Sequence, residues 1–330
     1  MRFSRLLTGA CVAAGLVTAC HKPMPMDDHM AHMSASDISP ATPRAGTPSV
    51  EDWPSESRQN LGLPPSDSNA AKRLSSSPRH GEWVTFPSAP GSKDSIMAWV
   101  VYPSTNRAKT PVVVVVHEIF GLSTWVRSVA DQVAAEGFIA IAPDFESRIR
   151  GGPSTQELPK DSATKLIRGV SPAERNQVID AAATFAMHLT SAAPKYAVIG
   201  YCWGGQTVFI HAVNEGVPGY SGGVAFYGLP YMKGNVPIAD SLMKINKPVM
   251  LLSGSKDARI SAGMPAVDSA MKALHKDYSG TNYQGAAHGF LRIQDDPKTP
   301  PDPSENAANV AATKDGWPKT VAFLKKQLGI

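Results

Sequence analysis

The chain has 330 residues, enough for one large or two ordinary domains. Its formal charge is +4, which falls to +2 without Arg2 and Arg5, and no dense Lys/Arg stripe accompanies it, so nothing supports nucleic-acid binding. Beyond the first twenty residues no stretch approaches the ~20 consecutive apolar residues of a spanning helix.

Residues 1–19 read as a secretory signal. Arg2 and Arg5 form the positive region, Leu6 to Leu16 the apolar one, and Val17-Thr18-Ala19-Cys20 a small-residue cleavage site. Ending in cysteine, the site resembles a bacterial lipobox, which implies cleavage before Cys20 and lipidation of its thiol. An ordinary cut at Ala19 is the alternative. Membrane contact is then expected only through the lipidated N-terminus, with the protein periplasmic and anchored to an envelope membrane. His21, a residue other than aspartate after the lipidated cysteine, points to the outer membrane. With Cys11 lost and Cys20 lipidated, Cys202 would be the only free thiol, and an unpaired cysteine in an exported protein suggests a reactive one.

Residues 20–80 are rich in Pro, Ser, Asp and Asn and have no sustained hydrophobic period, which predicts a disordered tether. Its start holds His21, His29, His32, Met24, Met26, Met30 and Met33, imidazole and thioether groups of the kind that bind copper. A biased, flexible segment explains the same composition.

Residues 81–330 alternate strand-like and helix-like segments. Glu82–Phe86 and Ile96–Tyr102 read as an antiparallel opening pair, and the valine run Pro111–Val116 as a strand buried on both faces. A helix over Val126–Glu136 and a strand over Phe138–Pro143 follow. Ser171-Pro172-Ala173-Glu174 carries an N-cap, a proline at N1 and a capping-box glutamate, opening a helix to about Leu189. Strands are then expected at Tyr196–Gly200, Gly223–Tyr227, Pro248–Ser253 and Thr281–Gln284. Helices are expected at Gly204–Asn214, Ala262–His275 and Ala307–Leu328, the last bent or restarted at Pro318. The pattern predicts an α/β domain: a mostly parallel central sheet with helices on both faces.

Gly200-Tyr201-Cys202-Trp203-Gly204-Gly205 follows the apolar run ending at Ile199 and has the G-x-Nu-x-G spacing of a nucleophile elbow, with cysteine in place of serine. Such a turn needs dihedrals that a neighbouring Cβ would obstruct. The helix that follows aims its N-terminal N–H groups at the thiol, favouring thiolate and a developing oxyanion. Asp257 and His288 each follow a later strand, in the order nucleophile, acid, histidine. His288 would move the thiol proton, and Asp257 would fix its tautomer.

Four segments together resemble the dienelactone hydrolase family (carboxymethylenebutenolidase-like) of the α/β-hydrolase fold. They are His117-Glu118-Ile119-Phe120-Gly121-Leu122, the Cys202 elbow, Ser253-Gly254-Ser255-Lys256-Asp257, and His288-Gly289-Phe290. The resemblance implies a Cys202–His288–Asp257 hydrolase of a lactone or small carboxylic ester, needing no cofactor or metal. It implies that Glu118 holds the resting thiol and then takes its proton. It places the oxyanion hole at the backbone N–H groups of Ile119 and Trp203, and a substrate carboxylate at Arg292. A second carboxylate-binding arginine has no clear counterpart; Arg148 and Arg150 stand in a segment, Glu146 to Val170, that could cover the site. The competing reading is a non-enzymatic envelope lipoprotein binding copper or a partner through the Met/His-rich tether. Thiol redox catalysis is disfavoured by the lack of a resolving cysteine.

Overall fold

The valine run becomes β3 (Thr110–Val116), all seven residues buried. Alternate side chains of a strand point to opposite faces, so uninterrupted burial means both faces of the sheet are covered at its centre. β4 (Ile139–Pro143) is buried in the same way. The computed structural model describes residues 62–104, 109–152, 158–295 and 303–330. The expected signal segment, Cys20 and the Met/His-rich stretch lie outside these residues.

Eight strands form one sheet. Besides β3 and β4 they are β1 (Gly81–Pro87), β2 (Ser95–Val101), β5 (Ala192–Tyr201), β6 (Tyr220–Phe226), β9 (Val249–Gly254) and β10 (Tyr278–Tyr283), in the spatial order β1-β2-β4-β3-β5-β6-β9-β10. β2 runs antiparallel to both β1 and β4, and every other neighbouring pair is parallel. A two-residue hairpin, β7 (Met232–Lys233) with β8 (Val236–Pro237), stands apart.

Ten helices accompany the strands among the described residues: α1 (Ala70–Ser75), α2 (Thr124–Ala135), α3 (Ser147–Arg150), α4 (Lys160–Arg168), α5 (Pro172–Met187), α6 (Trp203–Asn214), α7 (Ala239–Met243), α8 (Ala258–Ala273), α9 (Phe290–Ile293) and α10 (Pro303–Leu328). The capping box at α5 forms as expected, with the Ser171 hydroxyl accepting from the Glu174 N–H and the Glu174 carboxylate accepting from the Ser171 N–H. α10 is one helix with Pro318 inside it rather than two.

β3 connects on to β4 on one side and β5 connects on to β6 on the other, so the winding of the sheet reverses between β3 and β5. The crevice beyond the carboxyl ends of β3 and β5 is therefore the switch point where an open α/β sheet binds ligands.

The tether expected over 20–80 does not extend that far, because residues 62–80 pack onto the domain. Leu63 and Ala70 are buried, the Trp125 indole donates to the Pro65 carbonyl at 2.8 Å, and the Gln294 amide donates to the Pro64 carbonyl at 2.9 Å. Arg79 pairs with Asp131. The anchors are mainly backbone carbonyls and isolated side chains, which leave no hydrophobic period to read.

Candidate active site

β5 ends at Tyr201 and α6 begins at Trp203, so Cys202 alone makes the turn, at φ 56° and ψ −114°. That region is sparsely populated for a residue with a Cβ and costs about 1–3 kcal/mol. Two glycines let the helix close on the strand so tightly. A Cβ on Gly200 would lie 2.1 Å from the Gly204 carbonyl oxygen, and one on Gly204 would lie 2.5 Å from that of Val116. The Cys202 N–H donates to the Phe226 carbonyl at 3.0 Å, which ties the elbow to β6. Its side chain is buried.

Asp257 has two functions, one for each oxygen. Oδ1 accepts the Ile260 N–H at 3.2 Å and caps α8, which therefore starts four residues before its expected position. Oδ2 lies 2.5 Å from Nδ1 of His288. Burial opposes ionisation of this carboxyl. The charge and hydrogen bond of His288, helped by Arg259 and the Ile260 N–H, outweigh that and hold it below its usual range.

The turn carrying His288 reaches Asp257 because residue 254 is glycine; a Cβ there would meet the Ala286 carbonyl oxygen at 2.2 Å. The Ala286 carbonyl accepts from Lys256 N–H at 2.9 Å, and the Ala287 N–H donates to Asn309 of α10 at 2.9 Å. The imidazole packs on the Tyr227 ring, centroids 5.0 Å apart. Its Nε2 is buried without a hydrogen bond of good geometry, yet the ring is coupled to the Cys202 sulfur. Such contacts are often loose in unliganded sites. Burial alone would lower the His288 pKa. Its electrostatic interactions and hydrogen bonds with Cys202 and Asp257 overcome it and push it up to about 10.

Glu118 follows β3 and is buried, with Oε2 2.9 Å from Arg292 Nε. Arg292 is itself buried, lies 3.6 Å from Asp67 and places its guanidinium 5.6 Å from the Phe120 ring centre. Two residues singled out from the sequence thus meet each other, and Arg292 already faces two carboxylates. Ile119 sits in the same turn, closed by the Gly121 N–H on the Glu118 carbonyl at 3.3 Å. Trp203 is the first residue of α6, so its N–H has no acceptor within the helix. Its indole is held between the His117 ring, stacked at 5.8 Å, and the Arg175 guanidinium at 4.3 Å.

His117 is a structural neighbour. Its Nδ1–H donates to the Glu118 carbonyl at 2.6 Å, its Nε2 accepts from the Phe145 N–H at 3.1 Å, and burial lowers its pKa, so it is a neutral spacer. The segment expected to cover the site holds α3 and α4 in its described parts, with Arg148 paired to Glu174 and Arg150 3.8 Å from Glu146.

Three contributors went unread in the sequence. Asp67 lies in a segment assigned to the tether. Tyr227, at the carboxyl end of β6, has φ 41° and a buried hydroxyl with no hydrogen-bond partner among the described residues. Burial first, and then Glu118, push its phenol well above the usual range. The one sequence signal was an aromatic residue ahead of Gly228 at a strand end. Glu146, just beyond β4, is fully buried with neither oxygen hydrogen-bonded. Burial and the neighbouring Asp144 raise its pKa to about 8 against the opposing pull of Arg150. A carboxyl whose folded pKa is raised favours the fold while protonated and loses that contribution as pH rises from its ordinary value, 4.5, through about 8. Glu146→Gln is therefore expected to raise Tm by a few degrees at pH 9 and to change it little at pH 4, as scanning calorimetry at the two pH values would show.

The dienelactone hydrolase family model matches residues 96–328. A protein of Escherichia coli (strain K12) described as "Putative carboxymethylenebutenolidase" is 27 % identical over 279 residues, covering 82 % of this chain and 97 % of its own. A Bradyrhizobium protein described as "Probable 2-oxo-3-(5-oxofuran-2-ylidene)propanoate lactonase" is 26 % identical over 245 residues, 71 % of this chain and 91 % of its own. The crystal structure of "Putative Dienelactone Hydrolase" from Klebsiella pneumoniae subsp. pneumoniae MGH 78578 superimposes with a TM-score of 0.59 at 26 % identity, covering 74 % of this chain and 98 % of its own. With the sheet order and the site geometry, these matches show that the chain belongs to the dienelactone hydrolase family, has the α/β-hydrolase fold and is a hydrolase of the lactone and ester class.

Proposed function

We propose that the chain hydrolyses a lactone or small carboxylic ester through a Cys202–His288–Asp257 triad and an acyl-thioester. The observation that carries this reading is the Cys202 elbow beside an imidazole whose far nitrogen lies 2.5 Å from Asp257. The Cys202 thiolate adds to the carbonyl carbon, and the carbonyl electrons move to an oxyanion received by the N–H groups of Ile119 and Trp203. Collapse of that intermediate forms the thioester and expels the alkoxide, protonated by the His288 imidazolium. In a lactone the alcohol stays attached to the acyl group. Water then attacks the thioester, His288 takes its proton, and the thiolate leaves.

Glu118 and Arg292 couple substrate binding to this chemistry. A substrate carboxylate reaching Arg292 competes with Glu118 for the guanidinium, which frees Glu118 to take the thiol proton before the thiolate attacks and to return it when the thiolate leaves the thioester. A small ester or lactone bearing a carboxylate is the substrate class this arrangement suits, because a bidentate guanidinium matches a carboxylate. The covalent step is directly testable. Rapid acid quenching of the protein with p-nitrophenyl acetate should give one acetyl group mapped by mass spectrometry to Cys202. Acetyl elsewhere, or turnover without a Cys202 adduct, would refute the thioester.

We further propose that the chain is exported and anchored in the envelope through a lipid on Cys20, on the strength of the signal-like segment ending there. Labelled palmitate fed to the producing bacterium is expected to enter the wild-type protein and be absent from Cys20→Ala.

A further inference from the structure

Away from the Cys202 site, a cavity of about 520 Å³ opens between the end of β1, the turn that follows it, and α5. Its walls include Phe86, Pro90, Phe185 and Val217, and none of Cys202, Asp257, His288 or Glu118 lines it. Among the lining residues the one charged side chain is Asp180.

Asp180 is held without a cation to balance it. The Asn176 amide donates to Oδ2 at 2.9 Å, and the Gly216 N–H donates to the same carboxyl. Its nearest basic group among the described residues is His211, 3.9 Å away. That ring is already committed: Nδ1–H donates to Asn176 Oδ1 at 2.8 Å, and Nε2 accepts the Tyr196 hydroxyl at 2.9 Å. Burial drives the His211 pKa down to about 3, so the ring is neutral. Burial also raises the Asp180 pKa, to about 6, against the pull of the Gly216 N–H, which leaves the carboxyl mostly ionised at neutral pH.

An ionised carboxylate on a mostly apolar wall, which Ser88, Asn176, Gln177 and Thr184 also line, pays a desolvation penalty that a cation at the same place relieves. Cavities of this size and composition accommodate small organic molecules, with a few polar groups fixing orientation. We propose that this cavity is a second ligand site for an organic monocation, with its ammonium at Asp180 and its aromatic or branched apolar body against Phe86, Phe185 and Val217. An anion would face the carboxylate, and a purely apolar ligand would leave it uncompensated.

The test is calorimetric titration of the full chain with phenethylammonium chloride and, separately, with 2-phenylethanol, which keeps the apolar body and lacks the charge. Cys202 is first alkylated with iodoacetamide to close the catalytic site. Saturable binding of the ammonium is expected, with the alcohol at least about tenfold weaker, and a similar loss for the ammonium in Asp180→Asn. Ester hydrolysis by unalkylated Asp180→Asn should match wild type, which shows that the variant folds. Equal affinity for the alcohol, undiminished binding in Asp180→Asn, or no saturable heat would each overturn the assignment. So would binding that is present before alkylation and lost after it. If Asp180→Asn does not fold, the comparison of ammonium with alcohol on the wild-type chain still decides.

Discussion

Cys202→Ala is expected to lower kcat/KM for activated aryl esters and simple lactones by about 10⁴-fold or more while leaving the fold intact. The magnitude follows from what remains. Without the sulfur the site keeps its N–H groups and its imidazole, which can polarise a carbonyl but form no covalent intermediate. Alanine has a Cβ in the same place, so the φ of 56° is no more strained than before. Circular dichroism and Tm should therefore stay near wild type. A variant that retained activity within tenfold of wild type would show that water or another group is the nucleophile. Imidazole titration, followed by NMR, offers an independent reading. The interaction with Cys202 is the largest of the effects that raise the His288 pKa to about 10, so removing the sulfur should move the midpoint downward.

Asp257→Asn should lower kcat/KM by about 10²–10⁴-fold, because the imidazole loses both its orientation and the charge that stabilises its protonated form. The substitution separates catalysis from folding. The Asn oxygen can still accept the Ile260 N–H and cap α8, whereas Asp257→Ala loses the cap as well, about 1 kcal/mol. Equal activity losses in the two variants, with a lower Tm only in Asp257→Ala, are the expected pattern. The pH dependence has a definite sign. A histidine whose folded pKa is raised from its ordinary value, 6.5, to about 10 contributes stability that is full below 6.5 and is lost as pH rises through about 10. Asp257→Asn should flatten that loss, which urea unfolding at pH 6 and pH 10 would detect. Unchanged activity in Asp257→Asn would remove Asp257 from the mechanism.

The substrate question turns on Arg292. In the unliganded structure its guanidinium is shared between Glu118 and Asp67, so a substrate carboxylate must displace an internal carboxylate to reach it. That exchange gives a physical route by which a substrate's own carboxylate could switch Glu118 from partner of an arginine to acceptor of a proton. Asp67 adds a second competitor from a segment well before the sheet, and no motif in the sequence announces it.

The elements legible in the chain by itself are those whose causes lie within a few residues. The valine run dictated a central strand because only a position buried on both faces accommodates seven consecutive buried side chains. The Ser171 capping box and the Gly200–Gly204 spacing around Cys202 were readable for the same reason, since both are contacts between residues three or four apart. The order Cys202, Asp257, His288 was readable because each follows a strand, and parallel strands bring their carboxyl ends to one edge. Tertiary structure alone decided the rest. The anchoring of residues 62–80 depends on the carbonyls of Pro64 and Pro65 meeting Gln294 and Trp125, and a carbonyl carries no sequence signature. The Asp67–Arg292–Glu118 cluster joins three distant parts of the chain. The strained backbone of Tyr227, the carboxyl of Glu146 without a hydrogen bond and the uncompensated charge of Asp180 are properties of surroundings assembled only when the chain folds, because desolvation depends on what packs around a group and not on its neighbours in the chain.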